Sequence, residues 1–351
     1  MGRAQLKVII TGNMGYVGPV LAREIKRADA SNYVVGLDSA YFAGCLLDKK
    51  TLPERDIDCQ LYKDARDVTM DDFRGADAVI CLAALSNDPM GDRYGKQTAE
   101  INHGAVLKAA RLAREAGARR FVFASSCSVY GFSESGECDE SSPVNPLTEY
   151  ARSKVAAERG LEEIADGSFS VTCFRFATAC GASPRLRLDL VLNDFVASAV
   201  TRGKIEILSD GTPWRPLIDV KDMSRAMIWA IRRDVLPPYL LLNAGANDWN
   251  FQVLDLAEKV RSVIPGTEVH ISPDGQPDKR SYRVKFDRYA AMAGLCAKMG
   301  DICDTIRDIR DILTAASFDD ADFRNSEYMR LNMLKYWESR KVLDSGLRWA
   351  R

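Results

Sequence analysis

Residues 6–18, which read LKVIITGNMGYVG, decide the expected fold. A strand pattern leads into three glycines spaced three apart, Gly12, Gly15 and Gly18, and a helical pattern follows. Such glycines permit a tight strand-to-helix turn, a close approach of phosphate to the backbone, and packing of the helix on the strand. The unpaired N–H groups at the start of the helix favour an anion. We therefore expect this turn to hold a phosphate-containing ligand.

An acidic residue at the end of the next strand pattern extends the turn into a dinucleotide site. Asp38 ends YVVGLD, about 20 residues after Gly18, where a carboxylate can bind ribose hydroxyls. It would repel a 2′-phosphate, which favours NAD over NADP; the alternative is a solvated acid at a strand end. Asp64, followed by Ala65, either contacts the adenine amine or is an exposed loop charge. The predicted NAD-binding residues of these segments are Gly12, Asn13, Met14, Gly15, Tyr16, Val17, Gly18, Asp38, Asp64 and Ala65.

The first half of the chain alternates short apolar runs with helical patterns. Strand patterns occupy 6–11, 33–38, 78–83, 120–125 and 170–176, and helical patterns occupy 20–28 and 104–117. This alternation is typical of an α/β fold, a Rossmann-type doubly wound parallel sheet with helices on both faces.

The regular alternation ends near residue 180, which indicates a second lobe. We expect residues 1–180 to form the NAD-binding Rossmann domain, with a returning strand near 238–243. Residues 181–351 are expected to form mainly a smaller α+β substrate lobe and C-terminal helices, including a charged helical stretch from 299 to about 342.

Composition favours a small-molecule partner. The 48 basic and 49 acidic side chains leave a net charge of −1, so neither nucleic acid nor a membrane surface is an expected partner. No apolar run reaches the roughly 18 to 20 residues of a membrane span, and the start resembles no signal peptide, so we expect a cytoplasmic protein. The nine cysteines contain no C-x-x-C pair and indicate reduced thiols. His103 and His270 lack companions at ligand spacing, so neither a metal site nor a Ser-His-Asp hydrolase is expected.

A tyrosine and a lysine carry the predicted chemistry. Tyr150 and Lys154 are four residues apart in the helical pattern EYARSKVAAE and so share a face. The free tyrosine pKa near 10 is too high for base catalysis at neutral pH. A nearby lysine and an oxidised nicotinamide would both lower it. Ser126, at the end of the strand pattern RFVFAS, can hold the substrate oxygen at the carboxyl edge of the sheet.

In this order, the motifs resemble those of the extended short-chain dehydrogenase/reductases, and within them the NAD-dependent epimerase/dehydratase group acting on nucleotide sugars. The resemblance runs from about residue 6 to 290 and rests on TGNMGYVG, CLAALSNDP, SSCSVYG, PVNPLTEYARSK, FRFATACG and WRPLIDVKDMSRA. It implies that Ser126 is the hydroxyl donor and Tyr150 the acid/base. Lys154 would bind the nicotinamide ribose, and both Tyr150 and Lys154 would contact the cofactor.

The resemblance also implies further contacts. Additional cofactor-cleft residues would be Leu82, Ala83, Ala84 and Asn102. Substrate-binding candidates are Ser86, Ser126, Cys127, Ser128, Arg185, Arg187, Asn193, Arg215 and Arg280. Arg215 matches an arginine that such enzymes set against a nucleotide diphosphate, a task suited to a guanidinium. For the second-lobe candidates, a solvated loop charge or helix-face amide is the alternative.

Two departures bear on the reaction. The family's 4,6-dehydratases resemble one another in a Thr-Asp-Glu triplet before Val-Tyr-Gly, whereas this chain has Ser126-Cys127-Ser128, which disfavours dehydration. Ala177 stands where many relatives place an asparagine near the substrate phosphate, which leaves the substrate contacts open.

We therefore expect a nucleotide-sugar epimerase that oxidises a sugar hydroxyl transiently, with a nucleotide-diphosphate sugar as substrate and NAD as recycled cofactor. The alternative is a dehydrogenase or 4-ketoreductase of the same family. Less favoured alternatives are a 4,6-dehydratase and a non-catalytic dinucleotide-binding protein. Relatives suggest a homodimer built from helices within 104–117 and 151–165, although apolar helix faces more often cover a sheet.

Overall fold

The structure, a computed structural model, describes residues 5–132, 136–272 and 281–350. Its strands are β1 Lys7–Thr11, β2 Tyr33–Asp38, β3 Cys59–Tyr62, β4 Ala78–Cys81, β5 Arg120–Ser126, β6 Glu137–Cys138, β7 Ser170–Phe176, β8 Thr178–Cys180, β9 Lys204–Ile207, β10 Trp214–Asp219, β11 Tyr239–Ala244, β12 Asn250–Gln252, β13 Glu268–Ile271 and β14 Arg283–Val284. Its helices are α1 Gly18–Ala28, α2 Asp88–Arg93, α3 Gly95–Ala99, α4 Val106–Glu115, α5 Glu149–Ile164, α6 Val191–Arg202, α7 Val220–Ala230, α8 Val253–Val263, α9 Asp287–Ala293, α10 Ile302–Ala315 and α11 Arg330–Ser339.

The central sheet has seven parallel strands in the order β11-β7-β5-β4-β1-β2-β3. The chain moves outward from β1 to β3, then returns to the other side of β1 and moves outward again. Where the direction of winding reverses, between β1 and β4, a crevice opens at the carboxyl ends of the strands. The predicted Rossmann-type sheet is confirmed, and β11 is the strand expected near 238–243.

Both faces of this sheet are covered, which explains its apolar strands. Successive side chains of a strand point to opposite faces. Val8 and Ile10 accordingly pack in one core cluster with residues of α1 and α7, and Ile9 packs in another with residues of α4 and α5. The two clusters hold the sheet between helical layers and leave its carboxyl edge available for a site.

Smaller elements build the second lobe. A three-stranded sheet has the order β12-β10-β8, with β8 and β10 parallel and β10 and β12 antiparallel. β9 pairs with β13, and α6 packs against α8 and α10. This is the α+β lobe that the sequence predicts. None of the helices in the described ranges is long and apolar enough to span a bilayer.

Three local features differ from the sequence expectations. β3 is an edge strand of four residues that no predicted strand pattern included. The helix expected over 104–117 is present as α4, but residues 104 and 105 belong to a preceding π-helical turn, Glu100–Ala105. The helical stretch expected from 299 to 342 contains two helices, α10 and α11, separated by residues 316–329.

Candidate active site

A cavity of about 850 Å³ lies at the carboxyl edge of the central sheet and extends to the second lobe. Its walls include the glycine turn, the ends of β2, β4 and β5, the start of α5, and side chains from the second lobe. Ligand pockets commonly enclose about 300 to 1,000 Å³. The cavity therefore joins the predicted cofactor and substrate residues in one site.

The glycine turn is so tight that two of its glycines have no room for a side chain. Gly12 has a φ of +77°, and a Cβ there would lie 2.5 Å from the backbone nitrogen of Ala83. A Cβ on Gly18 would lie 2.1 Å from the carbonyl oxygen of Asn13. The backbone is thereby folded against β4 and the start of α1. This shape fits the backbone cradle that a dinucleotide diphosphate requires.

Two side chains within the turn are used to hold it. The Asn13 amide donates to Gln60 Oε1 at 2.7 Å, toward β3. The Tyr16 hydroxyl donates to the carbonyl oxygen of Gly181 at 2.6 Å, toward the second lobe. The predicted cofactor contacts of Asn13 and Tyr16 would therefore use atoms other than these bonded groups.

Asp38 links the end of β2 to the glycine turn. Its carboxylate accepts the backbone N–H groups of Met14 at 2.9 Å and Ala40 at 2.7 Å. Burial raises the pKa of Asp38, and these hydrogen bonds oppose the rise. The carboxylate lies on the cavity wall, where its remaining acceptor capacity fits the predicted ribose contact.

Asp64, the candidate for the adenine amine, is engaged with a neighbouring arginine. Its Oδ1 accepts the Nε–H of Arg66 at 2.9 Å and its Oδ2 accepts an Nη2–H at 2.6 Å. Burial alone would raise the pKa of Asp64, but the hydrogen bonds and charge of Arg66 hold it below its usual value. Asp64 and Ala65 both lie on the cavity wall, and the adenine contact stays a prediction.

The loop after β4 forms the neighbouring part of the wall. Leu82, Ala83 and Ala84 line the cavity as expected from the resemblance. Asn102 lies behind them, where its amide accepts from Leu85 N at 2.9 Å and donates to Leu85 O at 3.0 Å. Asn102 therefore fixes the loop that the cofactor would contact.

The three predicted catalytic side chains meet at one point of the cavity. Ser126 ends β5 and Tyr150 lies at the start of α5, and both line the cavity. The Lys154 ammonium lies 5.6 Å from the centre of the Tyr150 ring and donates to the carbonyl oxygen of Ala124 at 2.7 Å. Thr148 caps the helix by accepting the N–H of Ala151 at 3.2 Å. Helix and strand thus bring the hydroxyl, the phenol and the ammonium together.

Burial dominates the ionisation of this group. It raises the pKa of Tyr150 to about 12, although the interaction with the Ser126 side chain opposes the rise. It lowers the pKa of Lys154 to about 8. The expected lowering of the tyrosine pKa by Lys154 is not seen, because burial penalises the phenolate more strongly than its neighbours stabilise it. The protein alone therefore keeps Tyr150 protonated, and the positive nicotinamide of a bound NAD is the other charge expected to lower its pKa.

A buried ion pair holds α5, the helix that carries Tyr150 and Lys154, against the central sheet. Glu158, one turn after Lys154, binds Arg175 of β7 at 2.7 Å. Glu158 also accepts a hydrogen bond from Ser125, and Arg175 donates to the Tyr130 hydroxyl at 3.1 Å. These contacts tie α5 to β5 and β7, which fixes Tyr150 relative to the sheet edge.

Two predicted substrate arginines form ion pairs. Arg187 donates from Nε and Nη2 to Asp189, each at 2.9 Å, and from Nη1 to the Ser86 hydroxyl at 2.9 Å. Arg187, Asp189 and Ser86 all line the cavity. Arg185 instead binds Glu54 at 2.5 Å and lies behind the cavity wall.

The remaining substrate candidates occupy different positions. Arg215 lines the cavity and donates to Trp214 O at 2.9 Å. Ser128 also lines it, and its buried hydroxyl has no hydrogen-bond partner among the described residues, which suits a ligand hydroxyl. Cys127 and Asn193 are fully buried. Arg280 lies outside the described residues.

Asn193 is committed to protein contacts. Its amide accepts the Gly181 N–H at 3.1 Å and donates to the Tyr16 hydroxyl at 3.0 Å and to Arg187 O at 2.9 Å. It therefore positions Arg187 and the glycine turn. Sequence reasoning did not name seven charged residues of the cavity wall: Lys63, Asp88, Asp189, Asp194, Glu206, Arg324 and Arg330. The Arg-x-Asp spacing of 187 and 189 was a usable signal for one of them.

Comparison with known proteins agrees with this geometry. Residues 8–245 match the family model described as "NAD dependent epimerase/dehydratase family". UDP-glucose 4-epimerase of Streptomyces lividans is 30% identical over 282 residues, which cover 73% of this chain and 80% of the relative. UDP-glucuronic acid decarboxylase 1 of Arabidopsis thaliana is 28% identical over 289 residues, 79% of this chain and 63% of the relative.

A solved structure described as MoeE5 in complex with UDP-glucuronic acid and NAD superposes with a TM-score of 0.74 at 25% identity, covering 88% of this chain and 99% of that one. The cofactor of the family is NAD. The matched sequence, the doubly wound sheet and the glycine turn agree, and the chain belongs to the NAD-dependent epimerase/dehydratase family of enzymes.

Proposed function

We propose that this enzyme epimerises a nucleotide-diphosphate sugar by transient oxidation of one sugar hydroxyl. The observation that carries the proposal is the meeting of Ser126, Tyr150 and Lys154 in a cavity that also contains the glycine turn. Relatives named for 4-epimerisation and a structural neighbour that binds UDP-glucuronic acid and NAD support the substrate class.

The chain's own residues move and hold a proton. Bound NAD supplies a hydride acceptor and, once reduced, a hydride donor. Ser126 holds the sugar oxygen, and Tyr150 accepts its proton as the C–H bond breaks. Lys154, positioned by Ala124, would bind the nicotinamide ribose, and the positive charge of the bound nicotinamide would favour the tyrosinate. Tyr150 returns the proton when the ketone is reduced on its other face.

The residues preceding Val129 favour an epimerase over a dehydratase. Ser126, Cys127 and Ser128 offer no carboxylate to remove a proton from carbon or protonate a leaving hydroxyl. Two candidates of the same family stay open. A dehydrogenase would release the keto sugar, and a 4-ketoreductase would run that step in reverse.

Homodimer formation through α4 and α5 also stays a prediction. Exposed positions of these helices carry charged side chains, among them Lys108, Arg111, Arg159 and Glu163. Contact between two copies at this face would therefore rest on ion pairs more than on apolar packing.

The test is a calorimetric screen of UDP-, GDP-, CDP- and dTDP-sugars with NAD present, followed by NMR of the product of each binder. We expect one nucleotide sugar to change configuration at a single carbon without net NADH formation. Stoichiometric NADH would instead indicate a dehydrogenase. A product lacking water would contradict the choice of epimerase over dehydratase.

A further inference from the structure

The last part of the described chain, residues 328–350, forms what we call the strap, which crosses the loops at the ends of β2 and β3. The indole N–H of Trp337 donates to Tyr41 O at 3.0 Å, and that of Trp349 donates to Ser39 O at 2.6 Å. The Trp349 ring also packs on the Tyr41 ring, with centroids 5.5 Å apart. The strap therefore holds the loop that follows Asp38.

The same segment holds the loop that follows β3. Arg66, the partner of Asp64, donates to the carbonyl oxygens of Gly346 at 2.8 Å and Leu347 at 2.9 Å. Apolar side chains of the strap and the nucleotide-binding half share one buried cluster: Tyr41, Leu85, Met90, Tyr94, Ile101, Leu334, Leu343 and Leu347. The strap is thus part of the wall around the cofactor half of the cavity.

Arg330, near the start of the strap, brings a buried positive charge to that cavity. It lines the cavity and is 1% exposed. Its guanidinium donates to carbonyl oxygens of Glu327 at 3.3 Å, Arg185 at 2.7 Å and Leu186 at 3.2 Å. Among the described residues it forms no ion pair of its own, and the carboxylate that acts on it, Asp189, is bound to Arg187. Burial lowers the pKa of Arg330, and the charge of Asp189 opposes this only in part.

The surrounding charges compensate the charge of this arginine only in part. Its two arginine neighbours are each paired, Arg185 with Glu54 and Arg187 with Asp189. The cluster therefore has three guanidinium groups and two carboxylates. A buried unpaired charge is costly, and such charges in proteins are normally matched by a partner. In a ligand cavity, the missing partner is an anion.

We propose that Arg330 binds a diphosphate group in the cavity and that the strap positions it there. Arginine suits the task because its planar fork binds phosphate oxygens through charge-assisted hydrogen bonds. The guanidinium stacks 5.1 Å from the centre of the Phe42 ring, on the loop four residues after Asp38. This position places Arg330 beside the cofactor half, so the cofactor diphosphate is the first candidate. The nucleotide-sugar diphosphate is the second.

The test is calorimetric titration of the full-length, NAD-depleted protein with ADP-ribose, adenosine and UDP-glucose. Arg330→Gln removes the charge, and we expect ADP-ribose to bind about tenfold more weakly while adenosine affinity is unchanged. The matched control is Arg340→Gln, which removes an exposed arginine of the strap that stacks on Tyr336. It should change neither affinity.

Each outcome of the titration decides the proposal. A loss confined to UDP-glucose supports a diphosphate site and assigns it to the nucleotide sugar. Equal losses for ADP-ribose and adenosine would show that Arg330 only holds the strap, and no loss for either diphosphate would also overturn the proposal. If Arg330→Gln does not fold by circular dichroism, Arg330→Met, which also removes the charge, decides in its place: a selective loss of diphosphate affinity supports the proposal and an unchanged affinity overturns it.

These measurements are independent of turnover. The proposal rests on the dinucleotide cavity of the proposed function, but failure to epimerise any sugar would leave the selective loss of ADP-ribose binding intact.

Discussion

The two ends of the cavity control charge in different ways. At the catalytic end, Lys154 forms no ion pair within the described part of the chain, and burial shifts the pKa values of Tyr150 and Lys154 in opposite directions. At the second-lobe end, Arg187 binds Asp189 and Arg324 binds Asp194. Lys154, with a pKa of about 8, can exchange a proton near neutral pH, whereas a paired guanidinium is a fixed charge. The catalytic end is therefore suited to proton transfer, and the second-lobe end is suited to positioning a ligand.

The largest expected effect comes from removing the phenol. Tyr150→Phe should lower kcat by about 10²- to 10⁴-fold, the usual contribution of a general acid/base, while NAD affinity measured by calorimetry is retained. Tyr62→Phe, at a tyrosine 72% exposed on β3, is the control and should be fully active. Substantial turnover by Tyr150→Phe would move the proton chemistry to another residue.

The next largest effect concerns the second-lobe end of the cavity and tests the ion pair between Arg187 and Asp189. Asp189→Asn leaves the buried Arg187 without its counter-charge, so we expect the free energy of unfolding to fall by about 3 to 5 kcal/mol in urea titrations. Asp71→Asn is the control, because its ion pair with Arg74 is exposed and should contribute less than about 1 kcal/mol. Similar losses in both variants would show that burial of the pair does not matter.

The smallest expected effect concerns the catalytic end of the cavity, where burial lowers the pKa of Lys154. It is measured on the protein without NAD. The folded-state pKa of Lys154 is about 8 against 10.5 in a free side chain. Between these values the unfolded chain binds more protons, so stability gains about 3 kcal/mol as pH rises through that window. Lys154→Met should lose this gain and be more stable than wild type at pH 7.

Urea unfolding at pH 7 and pH 10 measures the effect of Lys154 as the difference between wild type and variant. Lys335→Met, at an exposed lysine of α11, should retain the wild-type pH dependence. An identical pH dependence in wild type and Lys154→Met would mean that burial does not depress this pKa.

The parts of the site that could be predicted from the sequence are marked by short local sequence patterns. The glycine turn is recognisable because its three glycines lie within seven positions. Tyr150 and Lys154 are recognisable because a spacing of four residues places them on one face of a helix. Ser126 and Asp38 follow from strand ends, because parallel strands present their carboxyl ends at the same edge. The doubly wound sheet, including β11, follows from the same alternation of patterns.

The unpredicted parts depend on contacts between distant residues. Arg185 was named as a substrate candidate, but its partner Glu54 is 131 positions away, and no local pattern pairs them. β3 is a short edge strand with no fully buried residue, so its apolar pattern is weak. Arg330 resembles any helical arginine until the strap places it in the cavity.

The strap also affects the order in which the protein can be completed during synthesis. Ser39 and Trp349 are 310 positions apart. At roughly 5 to 20 residues per second, a ribosome adds that length in about 15 to 60 s. Throughout that interval the nascent chain has its glycine turn but lacks the anchor for the loop after Asp38. The newly made sheet therefore precedes a fully formed cofactor pocket, and NAD added during translation should become tightly bound only after Trp349 has emerged from the ribosome.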